Sequence, residues 1–284
     1  MLLKVNAKIN LSLDITGKQE NGYHTLDMVM TSINLSDYIT LTKRQDKCLN
    51  VRYKDGRVYT NDIAKKAGNM LIEKYDIFGA DIVIEKHIPE KSGLGGSSSD
   101  ASGVIFGLAK LNNLPLENID IKDVLAIGSD CPYMLYGGTR RVLGLGEQIS
   151  SKIDLEPMHF VLLTDDVGVD TAKAYKTYCY GYNRFNNTLL IEKILKGECE
   201  LQGLFTNSLY DSSRLLNPAI DDKINLLKRA GCVDAFMTGS GSGVVGYYKL
   251  EPTKDEKAIL QSIVNGKYGI YYINNVNTGI EILG

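Results

Sequence analysis

A run of glycine and serine residues between two apolar segments is the stretch of this sequence best suited to chemistry. It reads Pro-Glu-Lys-Ser-Gly-Leu-Gly-Gly-Ser-Ser-Ser-Asp over residues 89–100. Glycine lets a backbone approach a ligand closely and adopt positive φ values. The N–H groups at a helix start, with the helix dipole behind them, favour phosphate. The loop is therefore predicted to bind the phosphates of a nucleotide, although its composition also suits a flexible linker.

The loop does not match two common phosphate-binding motifs. Its glycines are not followed by the Gly-Lys-Ser/Thr of a Walker A loop. The sixth position counted from Gly93 is Ser98, where the dinucleotide fingerprint has glycine. Residues 241–246 do have that glycine spacing, but a strand-like segment follows them in place of the required helix. Neither motif accounts for the predicted phosphate site.

Five further residues offer what a phosphoryl transfer needs besides a phosphate cradle. Lys8 and Asn10 are two positions apart, so they point to the same face of a strand. Asp130 is a carboxylate that can accept a hydroxyl proton, and a lysine beside it would keep it ionised. Tyr23 and His24 could stack on a flat heterocycle and hydrogen-bond its edge. Taken singly, Lys8 and Asn10 are more typical of a solvated strand face, and Asp130 of a turn or helix cap; Tyr23 and His24 also suit the surface beside a turn.

The first half of the chain shows the elements that must position these residues. Apolar residues alternate with polar ones over positions 3–15, which predicts a strand with one buried face. Asn21-Gly22 predicts a hairpin turn into strands at 26–35 and near 38–42. Asn61 or Asp62 is predicted to cap a helix, and the glycine loop joins a strand at 81–88 to a helix from residue 101 onward.

Two segments around Asp130 complete the N-terminal half. A short helix is predicted around residues 121–125, and residues 133–142 have a strand-like pattern interrupted by two glycines. Pro132 restricts the residue before it to extended conformations, which predicts Asp130 in a turn or at a strand entry.

A polar segment at residues 147–157 predicts a domain boundary, which gives an N-terminal domain over 1–152 and a C-terminal domain over 153–284. In the second half, strands are predicted at 158–164, 233–237 and 269–273, and helices at 171–178, 188–196, 218–229 and 254–264. Because strands and helices intermix without regular alternation, the predicted fold class is α+β.

Composition, net charge and cysteine spacing narrow the classes of function and the cellular location that we expect. The chain has 284 residues and a net charge of −2, which argues against a nucleic-acid protein with a broad basic surface. Its five cysteines lack a paired spacing, which is typical of buried free thiols in a reducing cytosol. No signal-peptide pattern and no apolar run of membrane-spanning length is present. We therefore expect a cytoplasmic protein without membrane or nucleic-acid partners; the oligomeric state is not predicted.

The order of these motifs resembles the GHMP kinase superfamily. The resemblance rests on residues 7–11 (Ala-Lys-Ile-Asn-Leu), 22–24 (Gly-Tyr-His), 89–100, 127–132 (Ile-Gly-Ser-Asp-Cys-Pro) and 237–242 (Met-Thr-Gly-Ser-Gly-Ser). Within the superfamily, the Lys-x-Asn strand and the Gly-Tyr-His run are similar to the kinases of 4-diphosphocytidyl-2-C-methyl-D-erythritol. The resemblance implies a ribosomal-protein-S5-like N-terminal domain, a ferredoxin-like C-terminal domain and an active site between them.

The same resemblance implies the reaction and its catalytic residues. ATP, with Mg²⁺, would phosphorylate the 2-hydroxyl of 4-diphosphocytidyl-2-C-methyl-D-erythritol, a step of non-mevalonate isoprenoid precursor biosynthesis. Asp130 would be the general base, and Lys8 would hold the hydroxyl and stabilise the developing charge. The metal ligands are not identified by the motif, although Ser97 and Ser98 are candidates.

Binding residues are also implied by the resemblance. The residues implied for ATP are Asn61 beside the adenine and Pro89, Gly93, Leu94, Gly95, Gly96, Ser97, Ser98 and Ser99 around the phosphates. The residues implied for the substrate are Asn10, Tyr23, His24, Thr238, Gly239, Ser240 and Gly241, the last four in a loop that closes over the diphosphate.

The chain departs from the family pattern at three places, and three other interpretations compete with it. Lys91-Ser92 stands where small residues are usual, Cys131 replaces an aliphatic residue, and residues 205–210 match the family weakly. A homoserine or mevalonate kinase would not need the Tyr-His pair to stack on a base. A catalytically silent nucleotide-binding protein would not need Lys8 and Asp130. An RNA-associated module fits poorly with the net charge of −2.

Overall fold

The computed structural model describes residues 1–179, 187–198 and 200–284. The strands are β1 (Leu2–Lys18), β2 (His24–Lys43), β3 (Leu49–Tyr53), β4 (Ala80–Glu85), β5 (Arg140–Gly144), β6 (Gln148–Ile149), β7 (His159–Thr164), β8 (Thr206–Asn207), β9 (Asp234–Met237), β10 (Val244–Tyr248), β11 (Gly269–Val276) and β12 (Ile280–Ile282). The α-helices are α1 (Ile63–Tyr75), α2 (Gly96–Leu111), α3 (Ile121–Ile127), α4 (Cys131–Tyr136), α5 (Thr171–Thr177), α6 (Asn187–Leu195), α7 (Tyr210–Leu216), α8 (Ala219–Arg229) and α9 (Lys254–Val264). A 3₁₀ turn covers Leu116–Asn118.

A long antiparallel hairpin of β1 and β2 forms the centre of the molecule. The two strands pair from Leu2 opposite Thr40 to Lys18 opposite His24, with register shifts at three points along β1. The predicted turn at Asn21-Gly22 is confirmed, and β2 runs on through both strands that the sequence separated. Strand β11 connects the strands of the two halves of the chain into one sheet, because it pairs with β2 of the first half and with β7 of the second.

Both faces of β1 are buried, so the prediction of a single buried face is wrong. Residues 5–15 are all buried, including Lys8, Asn10 and Ser12 on the polar face. The apolar face contributes to three different core clusters along its length: Leu3 lies in the first, Ile9 in the second and Leu13 in the third. The polar face is covered by loops from distant parts of the chain, which makes it an internal surface rather than a solvated one.

Helix α2 packs across the β1–β2 hairpin at close range and brings the glycine loop to it. Gly103 and Gly107 face the hairpin, where a Cβ would press on Val5 and Leu41. Asp62, one of the two predicted caps, caps α1 by accepting hydrogen bonds from the first amides of that helix. Helix α2 begins at Gly96, earlier than the sequence indicated, so the serines of the run belong to its first turn.

The strand-like pattern predicted after Asp130 is wrong. Residues 131–136 form the short helix α4, Asp130 occupies its N-cap position, and strand β5 begins only at Arg140. Pro132 lies in the first turn of α4, where a proline is well tolerated because its missing N–H has no partner to lose. Two glycines at positive φ, Gly137 and Gly138, separate the helix from the strand.

The second half confirms most of the predicted elements. Helices α5, α6, α8 and α9 and strands β7, β9 and β11 all begin and end within three residues of their predicted bounds. Helix α9 begins at a complete capping box formed by Thr253 and Glu256. Helix α7 was not predicted.

The expectation of buried thiols holds for Cys131 and Cys232 but is wrong for Cys48 and Cys179, which are exposed; Cys199 lies outside the described residues. No helix among the described residues is long and apolar enough to cross a membrane.

Candidate active site

A cavity of about 510 Å³ opens between β1, the glycine loop before α2 and the loop before β10. Its lining includes these predicted site residues: Lys8, Asn10, Pro89, Gly93, Leu94, Gly95, Gly96, Ser97, Ser98, Asp130, Gly239, Ser240 and Gly241. The structure therefore gathers both predicted catalytic residues, most of the predicted phosphate loop and most of the second glycine loop around one space.

The glycine loop is shaped to present backbone N–H groups to this cavity. Gly95, the N-cap of α2, has a φ of +69°, and a Cβ there would press on Met134 and on the Lys8 stem. The first amides of α2 lack partners within the helix, so they are donors for an anion. Ser97 and Ser98 add hydroxyls in the same turn. The carbonyl of Leu94 accepts from the amide of Lys8 at 3.0 Å, which fixes the loop to β1.

Three charged residues with buried side chains, Lys86, Asp37 and Asp100, support the glycine loop. The ammonium of Lys86 contacts both Asp37 and Asp100, at 2.6 Å from Asp100 Oδ2. Asp37 also accepts the amides of His87 and Ile88, which lead into the loop. Burial raises the pKa of Asp100 well above its usual value. Because Lys86 also lines the cavity, this group both holds the loop and places a cation at its edge.

Lys8 and Asp130 meet at the floor of the cavity. Lys8 Nζ lies 3.4 Å from Asp130 Oδ2 and donates to Asn10 Oδ1 at 2.7 Å. The Lys8 side chain is 4% exposed and that of Asp130 is 25% exposed. Asp130 is therefore the member of the pair that is more accessible from the cavity. Asn10 in turn donates from Nδ2 to Met28 Sδ at 3.4 Å. The arrangement places a carboxylate that can take a proton beside a cation that can stabilise an alkoxide.

The second glycine loop, residues 238–243, lies against the first one. Ser242 and Gly243 donate their amides to the carbonyls of Lys91 and Ser92, at 3.3 and 3.2 Å. Thr238 is buried behind the loop, where its Oγ1 accepts the amide of Asn10 at 2.9 Å. Asn207 caps the loop from the other side by donating to the carbonyls of Met237 and Gly239. The cavity-facing residues 239–241 are thus held by three separate segments.

An aromatic group closes one end of the site. The imidazole of His24 stacks on Tyr175, with ring centroids 5.1 Å apart, and meets Tyr178 edge-on at 6.2 Å. Burial, and after it the charge of Lys18, lowers the pKa of His24. Tyr175 lines the cavity and its pKa is raised by burial. Tyr23 points outward and is 67% exposed.

Comparison with known proteins assigns the chain to a family. The models of the GHMP kinases N terminal domain and of the GHMP kinases C terminal domain match residues 62–138 and 187–268. The 4-diphosphocytidyl-2-C-methyl-D-erythritol kinase of Acetivibrio thermocellus is 36% identical over 259 residues, covering 88% of this chain and 90% of the relative. That of Clostridium tetani is 35% identical over 288 residues, covering 96% and 99%. The chain belongs to the 4-diphosphocytidyl-2-C-methyl-D-erythritol kinase family.

The fold agrees with this assignment. A crystal structure of a 4-(cytidine 5'-diphospho)-2C-methyl-D-erythritol kinase matches with a TM-score of 0.80 at 24% identity, over 97% of this chain and 100% of that one. The predictions of a GHMP kinase fold and of an ATP-dependent phosphotransferase acting on an alcohol are confirmed. Of the predicted cofactors, ATP is supported by the family.

Five of the residues implied for ligand binding in this kinase family lie outside the lining of the cavity. Ser99 is buried below the loop, where its Oγ donates to the carbonyl of Asn6 at 2.9 Å. Asn61 is exposed beside the cap of α1. Thr238 lies behind the second loop. His24 contacts the cavity-lining Tyr175 without lining the cavity itself, and Tyr23 is exposed.

The cavity also has lining residues that the sequence did not single out. They are Tyr59, Lys86, Glu90, Ser129, Thr171 and Tyr175, among others. Thr171 Oγ1 and Ser240 Oγ lie 2.7 Å apart, which links the start of α5 to the second glycine loop. Sequence signals existed for most of these residues by position: Glu90 lies in the predicted phosphate loop, Ser129 precedes Asp130, and Thr171 and Tyr175 share a predicted helix. Their roles as lining residues became visible only in the fold.

The three departures from the kinase family pattern have structural explanations. Lys91 adopts a positive φ of 55°, and its aliphatic stem packs on Gly168. It therefore borders the cavity beside the glycine run rather than within it. Cys131 is fully buried and burial raises its pKa to about 12, as expected of a packing residue. Residues 205–210 supply Asn207, whose amide holds the second glycine loop.

Proposed function

We propose that this protein transfers the γ-phosphoryl group of ATP to the 2-hydroxyl of 4-diphosphocytidyl-2-C-methyl-D-erythritol. The observation that carries the proposal is the ion pair of Lys8 and Asp130, 3.4 Å apart on the floor of a cavity beside the N-terminus of α2. The named relatives at 35–36% identity support the choice of substrate.

In the proposed reaction, the residues of the chain move one proton and hold one phosphoryl group. The acceptor hydroxyl gives its proton to the Asp130 carboxylate while its oxygen attacks the γ-phosphorus. The bond from that phosphorus to the β–γ bridging oxygen breaks, and ADP leaves. Lys8 stabilises the oxygen that becomes more negative as its proton leaves. The amides of Gly96, Ser97 and Ser98 hold the phosphate oxygens at the positive end of α2.

Mg²⁺ is proposed as the metal that accompanies ATP. Among the described residues no group of three or more His, Cys, Asp or Glu side chains could hold a metal ion. Mg²⁺ in nucleotide sites takes one or two protein oxygens and completes its shell with phosphates and water. Ser97 and Ser98 line the cavity, and their hydroxyl oxygens are the candidate protein ligands. When bound, Mg²⁺ would neutralise charge on the phosphates.

The substrate end of the cavity is proposed to lie at the aromatic group of His24 and Tyr175. The stacked pair, 5.1 Å apart, offers a ring face and an imidazole edge of the kind that binds a cytosine. The second glycine loop would then hold the diphosphate between this end and Asp130. The division into domains 1–152 and 153–284 and a cytoplasmic location stay predictions.

ADP release by the purified protein tests the proposal. We expect turnover with ATP, Mg²⁺ and 4-diphosphocytidyl-2-C-methyl-D-erythritol, and none above background with homoserine or mevalonate. Turnover with homoserine or mevalonate alone would keep the kinase and overturn the substrate. No turnover with any of the three, in a protein that binds ATP in a direct titration, would instead support a silent nucleotide-binding protein. The Asp130→Asn variant is the negative control for contaminating kinases.

A further inference from the structure

A buried lysine outside the cavity forms a closed group with two residues of other segments. Lys223, on α8, is fully buried and does not line the cavity. Its Nζ donates to Asp165 Oδ2 at 2.6 Å and to the carbonyl of Ser242 at 2.7 Å. Asp165 Oδ1 accepts from Ser242 Oγ at 2.7 Å. Each of the three residues therefore contacts the other two, and we call them the latch.

Burial of the latch is costly, which points to a role other than simple packing. Removing a lysine and a carboxylate from water costs free energy that their attraction often only offsets. Lys223 Nζ also lies 5.3 Å from the ring centroid of Tyr268, and Nζ of the exposed Lys267 lies 5.2 Å from the same centroid. Burial lowers the pKa of Lys223. A hydrophobic residue of similar length could fill this space, so packing alone does not require the charges. The charges can instead serve to position the segments that they join.

What the latch holds is the second glycine loop at the point where it touches the first. Ser242 directly follows the cavity-lining residues 239–241. Its amide, and that of Gly243, bind the carbonyls of Lys91 and Ser92. The first loop has supports of its own, since Leu94 is bound to Lys8 and Ser92 Oγ to the carbonyl of Pro89 at 2.6 Å. Loss of the latch should therefore loosen the second loop more than the first.

We propose that Lys223, Asp165 and Ser242 are positioning residues that hold residues 239–241 where they meet the phosphates of the acceptor substrate. Binding by backbone amides depends on their placement, and a displacement of about 1 Å can cost about 10²-fold in rate. The identity of that ligand rests on the proposed function. The positioning of the loop does not.

The test compares a double variant that lacks both charges of the latch with a control variant that lacks a nearby lysine outside the latch. Lys223→Met alone leaves the Asp165 carboxylate without its cation, which can destabilise the whole fold. The double variant Lys223→Met/Asp165→Asn removes both charges and leaves an acceptor for Ser242 Oγ. Ser242→Ala is a milder variant that keeps the ion pair. Lys267→Met is the control, because it removes the other lysine beside Tyr268 and has no contact with Ser242.

Hydrogen exchange of the free protein is the first readout. In the double variant we expect faster exchange in the peptide over 238–244 than in wild type, with the peptide over 92–98 and the melting temperature close to wild type. The control should match wild type in both peptides. Unchanged exchange over 238–244 in the double variant would overturn the proposal. This readout needs no substrate, so it stands even where the proposed function fails.

Steady-state kinetics give the second readout. We expect the KM for 4-diphosphocytidyl-2-C-methyl-D-erythritol to rise about tenfold in the double variant, with the KM for ATP changed less than about twofold. Ser242→Ala should shift the same constant in the same direction by a smaller factor. Equal increases in both KM values, or a loss of kcat that follows a lower melting temperature, would assign the latch to stability and overturn the positioning role. A wild-type protein inactive on this substrate would refute the proposed function alone.

Discussion

The backbones of Gly93 and Gly239 cross in direct contact where the two glycine loops meet. Gly93 has a φ of +75°, and a Cβ there would overlap the carbonyl of Thr238. Gly239 has a φ of +57°, and a Cβ there would lie 2.8 Å from the carbonyl oxygen of Gly93. Neither loop can therefore carry a side chain at this point without moving the other. The contact joins the proposed ATP-binding segment to the proposed substrate-binding segment.

Gly93→Ala should separate the two loops and impair binding of both substrates. We expect kcat/KM to fall about 10²-fold, because the amides that line the cavity shift. Gly266→Ala is the control, since Gly266 has a nearly equal φ of +74° but open space around its Cβ position. Both variants carry the cost of a positive φ, about 1–2 kcal/mol, and only Gly93→Ala carries the clash. Equal activity in the two variants would contradict the importance of the contact.

Asp130→Asn should lower kcat at least about 10²-fold, as expected when a general base is removed. ATP affinity, measured by direct titration, should stay close to wild type, because Asp130 lies at the floor and not in the glycine loop. Asp120→Asn, which changes the N-cap of the neighbouring helix α3, is the control for local stability. Turnover at the wild-type rate by Asp130→Asn would rule out Asp130 as the general base.

Lys8 and Asp130 should act as a unit. Lys8→Met is expected to lower kcat by about 10²-fold, and the double variant Lys8→Met/Asp130→Asn should be little worse than the poorer single variant. The physical reason is the 3.4 Å contact: each residue acts on the same hydroxyl and needs the other. Kinetic constants for the four proteins of the cycle check this. Multiplicative losses would mean that the two side chains act independently.

Tyr175→Leu should raise the KM for the cytidylyl substrate with little change in kcat, since stacking on a distant base is mostly uniform binding. We expect an increase of about tenfold, the value of one aromatic contact. Tyr23→Ala, at a residue that is 67% exposed, is expected to raise the same KM only if substrate binding draws Tyr23 inward. A selective increase in the KM for ATP in Tyr175→Leu would mean that the two nucleotide ends are exchanged.

His24 predicts a pH dependence of stability. Burial and then Lys18 lower its pKa from the ordinary 6.5, so the folded protein binds the proton more weakly than the unfolded chain. Its contribution to the free energy of unfolding is present above pH 6.5 and is lost as the pH falls through the folded pKa. Urea unfolding between about pH 5 and 8 measures this. His24→Gln should flatten that part of the profile, and an unchanged profile would contradict the assignment to His24.

The elements predicted well are those with their own local signals. Helix α9 lies at the bounds predicted for it, and a Thr-x-x-Glu capping box marks its start in the structure. Helix α4 was missed because its six residues cover less than two turns, too few to show a helical period. Its proline, taken as a sign of an extended entry, is one that the first turn of a helix tolerates.

The sequence by itself predicted the chemistry from local signals: a glycine loop suited to phosphate, a lysine and an asparagine on one strand face, and an aspartate two positions before a proline. These signals are local, because residue type and spacing within a few positions specify them. Only the tertiary structure decided that the polar face of β1 is internal, that Asp130 lies 3.4 Å from Lys8, and that Tyr175 rather than Tyr23 lines the cavity. Those facts depend on packing between segments far apart in the chain, and spacing within one segment carries no information about the segment that will cover it.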